Sequence, residues 1–221
     1  MHSSIFVLMQ WKNEMTYWSQ FGQDRVLRQM IFRDVDNGVF VDVGAHDGKT
    51  LSNTYFFEQL GWTGLCIEAN PDVFPDLQKN RTCPCICAAA FDEPGSLRFV
   101  QAGMLSGIES CYHPFHRDRV KHEHLETGVA EVPAMTLTSM CDAHGIDRID
   151  LLSIDVEGSE LQVLRGMDFG KIFVKVICIE RAYPEPAIDD LLKSKGFVKL
   201  CDLGCDEIWV QEFLRGTANT K

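Results

Sequence analysis

Acidic residues close several short apolar runs of this chain, and two of these places have the residue types and spacing for chemistry. The first is Val41-Asp42-Val43-Gly44-Ala45-His46-Asp47-Gly48, a β-branched strand that runs through a glycine turn into a helix. In open α/β sheets ligands bind beyond the carboxyl ends of the strands, where the strand order reverses. A dinucleotide loop needs a further glycine between the two seen here, so that the backbone can approach a pyrophosphate. That place holds His46, and Asp47 beside it would repel phosphate. S-adenosylmethionine has no phosphate and carries a sulfonium and an ammonium cation, which carboxylates at Asp42 and Asp47 would favour. Glu68, closing the next strand, stands where an acidic residue accepts hydrogen bonds from both ribose hydroxyls. Singly, Asp42 and Glu68 would read as capping or surface carboxylates; together, around a glycine turn, they read as a nucleoside site.

The second place is Ile154-Asp155-Val156-Glu157-Gly158, with Glu180 closing the strand after it. Asp155 ends a fully apolar strand and should face the ligand crevice. Methyl transfer is an in-line displacement that needs the acceptor about 3–3.5 Å from the methyl carbon. A hydroxyl acceptor gains from a general base, typically by roughly 10²–10⁴-fold. Asp155, Glu157 and Glu180 are the candidates. Asp155 and Glu180 would also suit magnesium, which takes hard oxygen ligands, but the expectation is transfer without a metal. Glu160 reads as a helix cap at the positive end of the helix dipole.

Alternating strand and helix patterns must position these groups. They predict a Rossmann-like, mostly parallel seven-stranded sheet with helices on both faces. Helices are expected at Gln23 to Phe32, Thr50 to Leu60, from Asn70-Pro71 onward, Leu137 to His144, Ser159 to Leu164 and Ile188 to Lys195. Pro75 sits awkwardly in the third of these. Strands are expected at Val39 to Val43, Gly64 to Glu68, Cys85 to Phe91, Leu97 to Gln101, Asp150 to Asp155, Val174 to Glu180, Phe197 to Leu200 and Glu207 to Gln211. Between Ala102 and Pro133 the periodicity is lost, and a long loop or lid is expected. The domain bounds are an N-terminal extension at 1–18, one domain at 19–215 with the lid or substrate loop at 101–134, and a tail at 216–221.

The composition, 45% hydrophobic and 24% charged over 221 residues, is that of a globular chain able to bury a full core. A net charge of −11 disfavours bulk nucleic acid and anionic membrane. The apolar run Ile5 to Met9 is too short for a signal-peptide core, and no stretch approaches a membrane span. Nine cysteines, with Cys83, Cys85 and Cys87 on one strand face, read as packing thiols in a reducing cytoplasm rather than disulfides or half of a zinc site at Cys201 and Cys205. His113, His116, His122 and His124 crowd the lid; a solvated loop is the expectation, with a zinc site or a single catalytic histidine the alternatives. The segment with Ile5, Phe6, Trp11, Tyr17 and Trp18 could pack on the domain or in a homodimer.

Four segments in order resemble the FkbM family of methyltransferases: Ser19-Gln20-Phe21-Gly22-Gln23-Asp24, Phe40 to Gly48, Ile67-Glu68-Ala69-Asn70-Pro71, and Ile154 to Gly158. With their flanks they extend over about residues 19 to 210. The resemblance implies a class I methyltransferase fold, S-adenosylmethionine as cofactor, and a hydroxyl of a sugar or other small metabolite as acceptor. It also implies that the segment from Ser19 helps close the cofactor site, with Gln23 the contact. The family often carries lysine two residues before the aspartate matching Asp155; this chain has Ser153. The expected cofactor residues are Gln23, Asp42, Gly44, Ala45, His46, Asp47, Glu68, Ala69, Ala90, Phe91 and Asp155. Two other readings stand beside this one: an NAD-dependent oxidoreductase on a similar fold, and a non-catalytic nucleoside-binding module.

Overall fold

In a computed structural model, residues 16–214 are described. In chain order the elements are α1 (Gln23–Met30), β1 (Val39–Val43), α2 (Tyr55–Gln59), β2 (Thr63–Glu68), α3 (Phe74–Asn80), β3 (Cys85–Cys87), β4 (Ala89–Phe91), β5 (Gly95–Gln101) and β6 (Gly107–Ile108). They continue with α4 (Pro114–His122), β7 (Gly128–Thr136), α5 (Leu137–Ala143), β8 (Arg148–Ile154), α6 (Glu160–Arg165), β9 (Phe173–Glu180), α7 (Pro186–Ser194), β10 (Phe197–Leu203) and β11 (Asp206–Gln211).

Seven strands form the main sheet in the order β10-β11-β9-β8-β1-β2-β3. The pairs from β3 through β9 are parallel, and β11 enters antiparallel between β9 and β10. Successive residues of a strand face opposite sides, and here both sides are apolar. Val41 and Val43, Leu152 and Ile154, Ile177 and Ile179 pack with Leu137 and Met140 of α5, Val163 of α6 and Leu192 of α7. Phe40, Leu151, Val176 and Cys178 face the other way, against Leu27 of α1, Phe57 of α2 and Leu77 of α3. The sheet is thus doubly wound. Its order reverses between β1 and β8, which pair in register from Phe40 with Leu151 to Val43 with Ile154.

The expected lid is largely regular structure. It supplies β6, α4 and β7, and its two strands join β4 and β5 in a second sheet, β4-β7-β5-β6, in which β5 and β7 run antiparallel from Gly95 with Ala134 to Gln101 with Gly128. The mixed, exposed face of β7 hides its period in the sequence. The expected strand from Cys85 to Phe91 is divided at Ala88, β3 serving the main sheet and β4 the second. α2 begins five residues later than its pattern suggests, because Ser52 and Thr54 spend their hydroxyls on Asp42. α3 begins at Phe74, so Pro75 lies in its first turn, where its missing N–H costs nothing. Asn70 instead makes a local turn, accepting from Asp72 N at 3.1 Å. Tyr17 and Trp18 pack on Phe56 and Tyr55, at 4.7 and 5.2 Å between ring centres. Ile5, Phe6, Trp11 and the 216–221 tail lie outside the described residues.

Candidate active site

A cavity of about 860 Å³ opens at the carboxyl ends of β1, β2, β8 and β9. Its floor is the strand reversal itself. Asp155 N donates to Val43 O at 3.0 Å, and Gly44 N to Ile67 O at 2.9 Å, so the ends of β8, β1 and β2 are laced together. Gly44 has φ 82°, and a Cβ there would lie 1.7 Å from the carbonyl oxygen of Asp155. Only glycine lets the two strand ends approach this closely.

Glu68 holds the glycine turn from the other side. Its carboxylate accepts from His46 N at 2.8 Å and Asn70 N at 2.7 Å. Burial pushes its pKa up while these N–H groups act against the rise. Each carboxylate oxygen can accept more than one hydrogen bond, so the group can still receive a diol from the cavity side. Asp42 is 5% exposed and is bound by Thr54 Oγ1 at 2.5 Å and by Ser52 Oγ at 3.4 Å. Behind it lies Arg81, whose side chain is wholly buried and lies 3.7 Å from Asp42 and 2.6 Å from Glu58. Arg81 also donates to Gly48 O and Thr54 Oγ1, both at 2.9 Å. It therefore fixes the 48–54 loop that walls the cavity.

Across the cavity, Asp155, Glu157 and Glu180 each bring one carboxylate oxygen within 4.8 Å of the others, close enough to share a hard divalent cation. Among the described residues no other such group of potential ligands occurs. The four histidines of the expected lid do not converge on a metal. His113 caps α4 through Phe115 N. His116 is buried, with Nε2 3.2 Å from Leu105 O and Nδ1 3.5 Å from Glu157. His122 and His124 are exposed.

Crowding sets the acidity of the three carboxyls. Asp155 faces the cavity yet is ringed by protein, and burial with Glu180 beside it pushes its pKa well up. Burial and the Glu157 charge push Glu180 up to about 7. Burial, Asp155 and Glu160 push Glu157 up to about 9. Glu157 is also held at φ 57°, in the left-handed region that non-glycine residues enter at a cost of about 1–2 kcal/mol. Strain of this kind collects at functional sites. Glu160 turns away and caps α6, accepting from Gly158 N at 3.0 Å and Val156 N at 3.3 Å.

Of the expected cofactor residues, Gln23, Asp42, Gly44, Ala45, His46, Glu68, Ala69, Ala90 and Asp155 line this cavity, as do Glu157 and Glu180. Asp47 and Phe91 do not. Asp47 ties its own turn, accepting from Thr50 N at 2.7 Å and Lys49 N at 2.9 Å, and Phe91 packs against the small core under the second sheet. Gln23 uses both ends of its amide inside the protein: Oε1 accepts from Phe21 N at 2.8 Å and Nε2 donates to Asp206.

Residues 42–199 match the methyltransferase FkbM domain, most of the chain, from the end of β1 through β9. The chain belongs to the FkbM methyltransferase family. It is 46% identical over 57 residues to the methyltransferase sdnD of Sordaria araneosa; the match spans 24% of this chain and 22% of that protein. Among solved structures it is similar to the precorrin-6y C5,15-methyltransferase of Geobacter metallireducens, with 13% identity, TM-score 0.42 and 90% of each chain covered. It is also similar to the fibrillarin pre-rRNA processing protein of Methanococcus jannaschii, with 12% identity, TM-score 0.43 and 80% of this chain and 67% of that chain covered. The architecture is the Rossmann-like class I methyltransferase fold.

Within and behind this FkbM site, several residues escaped the sequence reading. Asn53 donates to Ser153 Oγ at 3.2 Å and to Cys178 Sγ at 3.5 Å, so an amide–hydroxyl pair sits where family members often place a lysine. Arg81 gave no sequence signal, because a lone arginine between a helix and a strand reads as surface. Asp206 faces the cavity from β11, the one strand whose direction the sequence does not disclose. No helix among the described residues is long and apolar enough to cross a membrane.

Proposed function

We propose that this FkbM-family chain binds S-adenosylmethionine and transfers its methyl group to a hydroxyl of a small, polar molecule such as a sugar. The observation that carries the reading is the arrangement of carboxylates around one cavity: Glu68 beside the glycine turn, and Asp155, Glu157 and Glu180 facing it. The residues fit the cofactor. Gly44 clears the floor, Glu68 suits a ribose diol, and the acidic wall suits cationic sulfur and nitrogen. His46 stands where a pyrophosphate site would need glycine, which disfavours NAD.

The bound cofactor would supply an electrophilic methyl group whose carbon–sulfur bonding pair leaves with sulfur as a neutral thioether. The chain's own part is to orient the acceptor and to take its proton. Glu180, with its pKa near 7, is half ionised at neutral pH and matched to general base work. Glu157, pushed up to about 9, keeps its proton at neutral pH and can donate to another oxygen of the acceptor. A net charge of −11 and an acidic cavity disfavour a phosphate backbone and favour a small acceptor over RNA. Nine free thiols support a reducing, cytoplasmic setting.

The test is calorimetric titration with S-adenosylmethionine, S-adenosylhomocysteine and NAD, repeated on Glu68→Ala. Binding of both sulfur nucleosides, lost in the variant, is expected. A folded protein that binds NAD alone would replace the reading with the oxidoreductase. One that binds the donor but forms no S-adenosylhomocysteine with any hydroxyl compound would favour the binding module.

A further inference from the structure

Three thiols that the methyl transfer does not use stand together at the β3 edge of the main sheet. Cys66 of β2 and Cys85 of β3 are paired directly across the parallel strands, and both face the core packed by α1, α2 and α3. Cys83, in the bend before β3, donates to Cys66 Sγ at 3.5 Å, and Cys85 Sγ lies 3.5 Å from Cys83 O. Cys66 N donates to Pro84 O at 3.0 Å, which holds the bend against β2. Cys66 is fully buried, whereas Cys83 and Cys85 are half-buried and flanked by the exposed Thr82 and Pro84. Hydrogen bonds from Cys66 and Cys83, with the Arg81 guanidinium near, bring the Cys85 thiol down to about 4. Every other cysteine of the chain is pushed up, chiefly by burial or by hydrogen bonds that keep its proton in place.

We infer that Cys85 is a peroxide-reactive thiol that closes a reversible disulfide with Cys66. The Cys85 thiolate attacks one oxygen of a hydroperoxide: the S–O bond forms as the O–O bond breaks, and the alkoxide or hydroxide that leaves takes a proton from water. Cys66 then attacks the sulfenic sulfur. The S–S bond forms, the S–O bond breaks, and the hydroxyl leaves with the Cys66 proton as water. Together the two thiols lose two electrons and two protons, and the peroxide is reduced. A small thiol reverses the step by exchange. Three features carry the inference. The edge of the sheet leaves Cys85 open to a small oxidant, and its ionised form is the nucleophile. Neighbouring strands lie about 4.7–4.9 Å apart, inside the span of about 4.4–6.8 Å that a disulfide needs between Cα atoms, and Cys66 shares the register and face of Cys85. Cys83 is two residues from Cys85, too close along the chain for an unstrained bridge, and keeps its proton, so its part is to hold the Cys85 thiolate. A bridge of this kind suits a reducing cytoplasm, where disulfides serve as transient sensors. It does not depend on the proposed methyl transfer.

The experiment exposes the full, reduced chain to hydrogen peroxide at pH 7, with and without the sulfenic-acid trap dimedone, and reads the products by peptide mass spectrometry with fragmentation. In the parent, dimedone should label Cys85 roughly tenfold faster than any other cysteine. Without the trap, the peptides of Cys66 and Cys85 should join with the loss of two hydrogens, and dithiothreitol should restore them. Cys66→Ala should form no bridge and accumulate the Cys85 adduct, Cys85→Ser should slow oxidation roughly tenfold, and Cys83→Ser, which still donates a hydrogen bond, should keep the bridge. Cooperative thermal melts check that each variant is folded, and the order of labelling in the parent needs no variant. First labelling at another cysteine would overturn the inference. So would a bridge between Cys66 and Cys83, or a Cys85→Ser chain that oxidises at the parent's rate.

Discussion

Replacing Glu180 by glutamine should make the protein more stable above neutral pH while removing its proton acceptor. In the folded chain burial and the Glu157 charge raise this carboxyl from 4.5 to about 7. A group with a raised pKa binds its proton more tightly when folded, so its stabilising contribution is complete below pH 4.5 and is lost as pH rises through about 7. At about 1.4 kcal/mol per pKa unit the full loss is roughly 3 kcal/mol, and solvent in the cavity reduces it to about 2 kcal/mol. Glutamine has no charge to bury, and its oxygen can still accept from Cys205 Sγ, 3.4 Å away in the parent. For a chain of this length 1 kcal/mol moves the melting temperature by about 2–4 °C. The variant should therefore melt about 4–8 °C above the parent at pH 8.5 and close to it at pH 4.5. Thermal melts across this range need no acceptor. Asp206 persists unchanged in both proteins, whereas Asp155 is raised in part by Glu180, so the difference between the two curves reads Glu180 together with its push on Asp155. A difference that stays constant with pH would refute the crowded-carboxylate account of the site.

Four other outcomes are expected. Arg81→Leu leaves Asp42 and Glu58 buried without their cation and should cost about 3–5 kcal/mol, read from denaturant midpoints. Gly44→Ala forces a left-handed alanine, at about 1–2 kcal/mol, and sets a methyl against Asp155 O, so loss of nucleoside binding by calorimetry should accompany a lower midpoint. Methyl transfer, once an acceptor is in hand, should rise with pH through about 7 in the parent, and Glu180→Gln should lower it by roughly 10²–10⁴-fold and remove the rise. Cys85, held below its ordinary range by hydrogen bonds from Cys66 and Cys83 with Arg81 near, should be alkylated at pH 6 ahead of Cys205, which burial and Glu180 push up to about 12; peptide mass spectrometry reads the order.

The main sheet was legible because its strands are buried on both faces. Val39–Val43 and Phe173–Glu180 are apolar at nearly every position, and runs of that kind between helical stretches leave few arrangements. The acidic ends of those strands were legible for the same reason, since a charge closing an apolar run stands out. The second sheet was not. β7 mixes exposed, half-buried and buried positions, contains Pro133, and pairs with β5 from Gly95 with Ala134 to Gln101 with Gly128, far apart in the chain, so nothing local marks it. The same distance hid Arg81, whose partners Glu58, Asp42 and Gly48 come from three other segments. Asp47 stands apart for the opposite reason: the structure gives its charge local turn bonds to Lys49 and Thr50, and it does not line the cavity.

The three carboxyls of the acidic wall work against the fold that carries them. Each is raised chiefly by burial and then by acidic neighbours, and no arginine or lysine ion pair among the described residues reaches any of them. Arg181, next to Glu180 in sequence, is drawn off by Asp189 and Glu207. A chain selected for stability alone would place a basic partner there, as it does for Asp42 and Glu58 with Arg81. Keeping the wall unpaired makes it hold its protons more tightly than free carboxyls do, and it gives them up when a cation enters. A bound sulfonium would then stabilise the ionised wall, so cofactor binding should release protons at pH 6.5. The mechanism thus ties the site's cost in stability to its affinity for a cationic donor: the same charge that loosens the empty protein grips the loaded one.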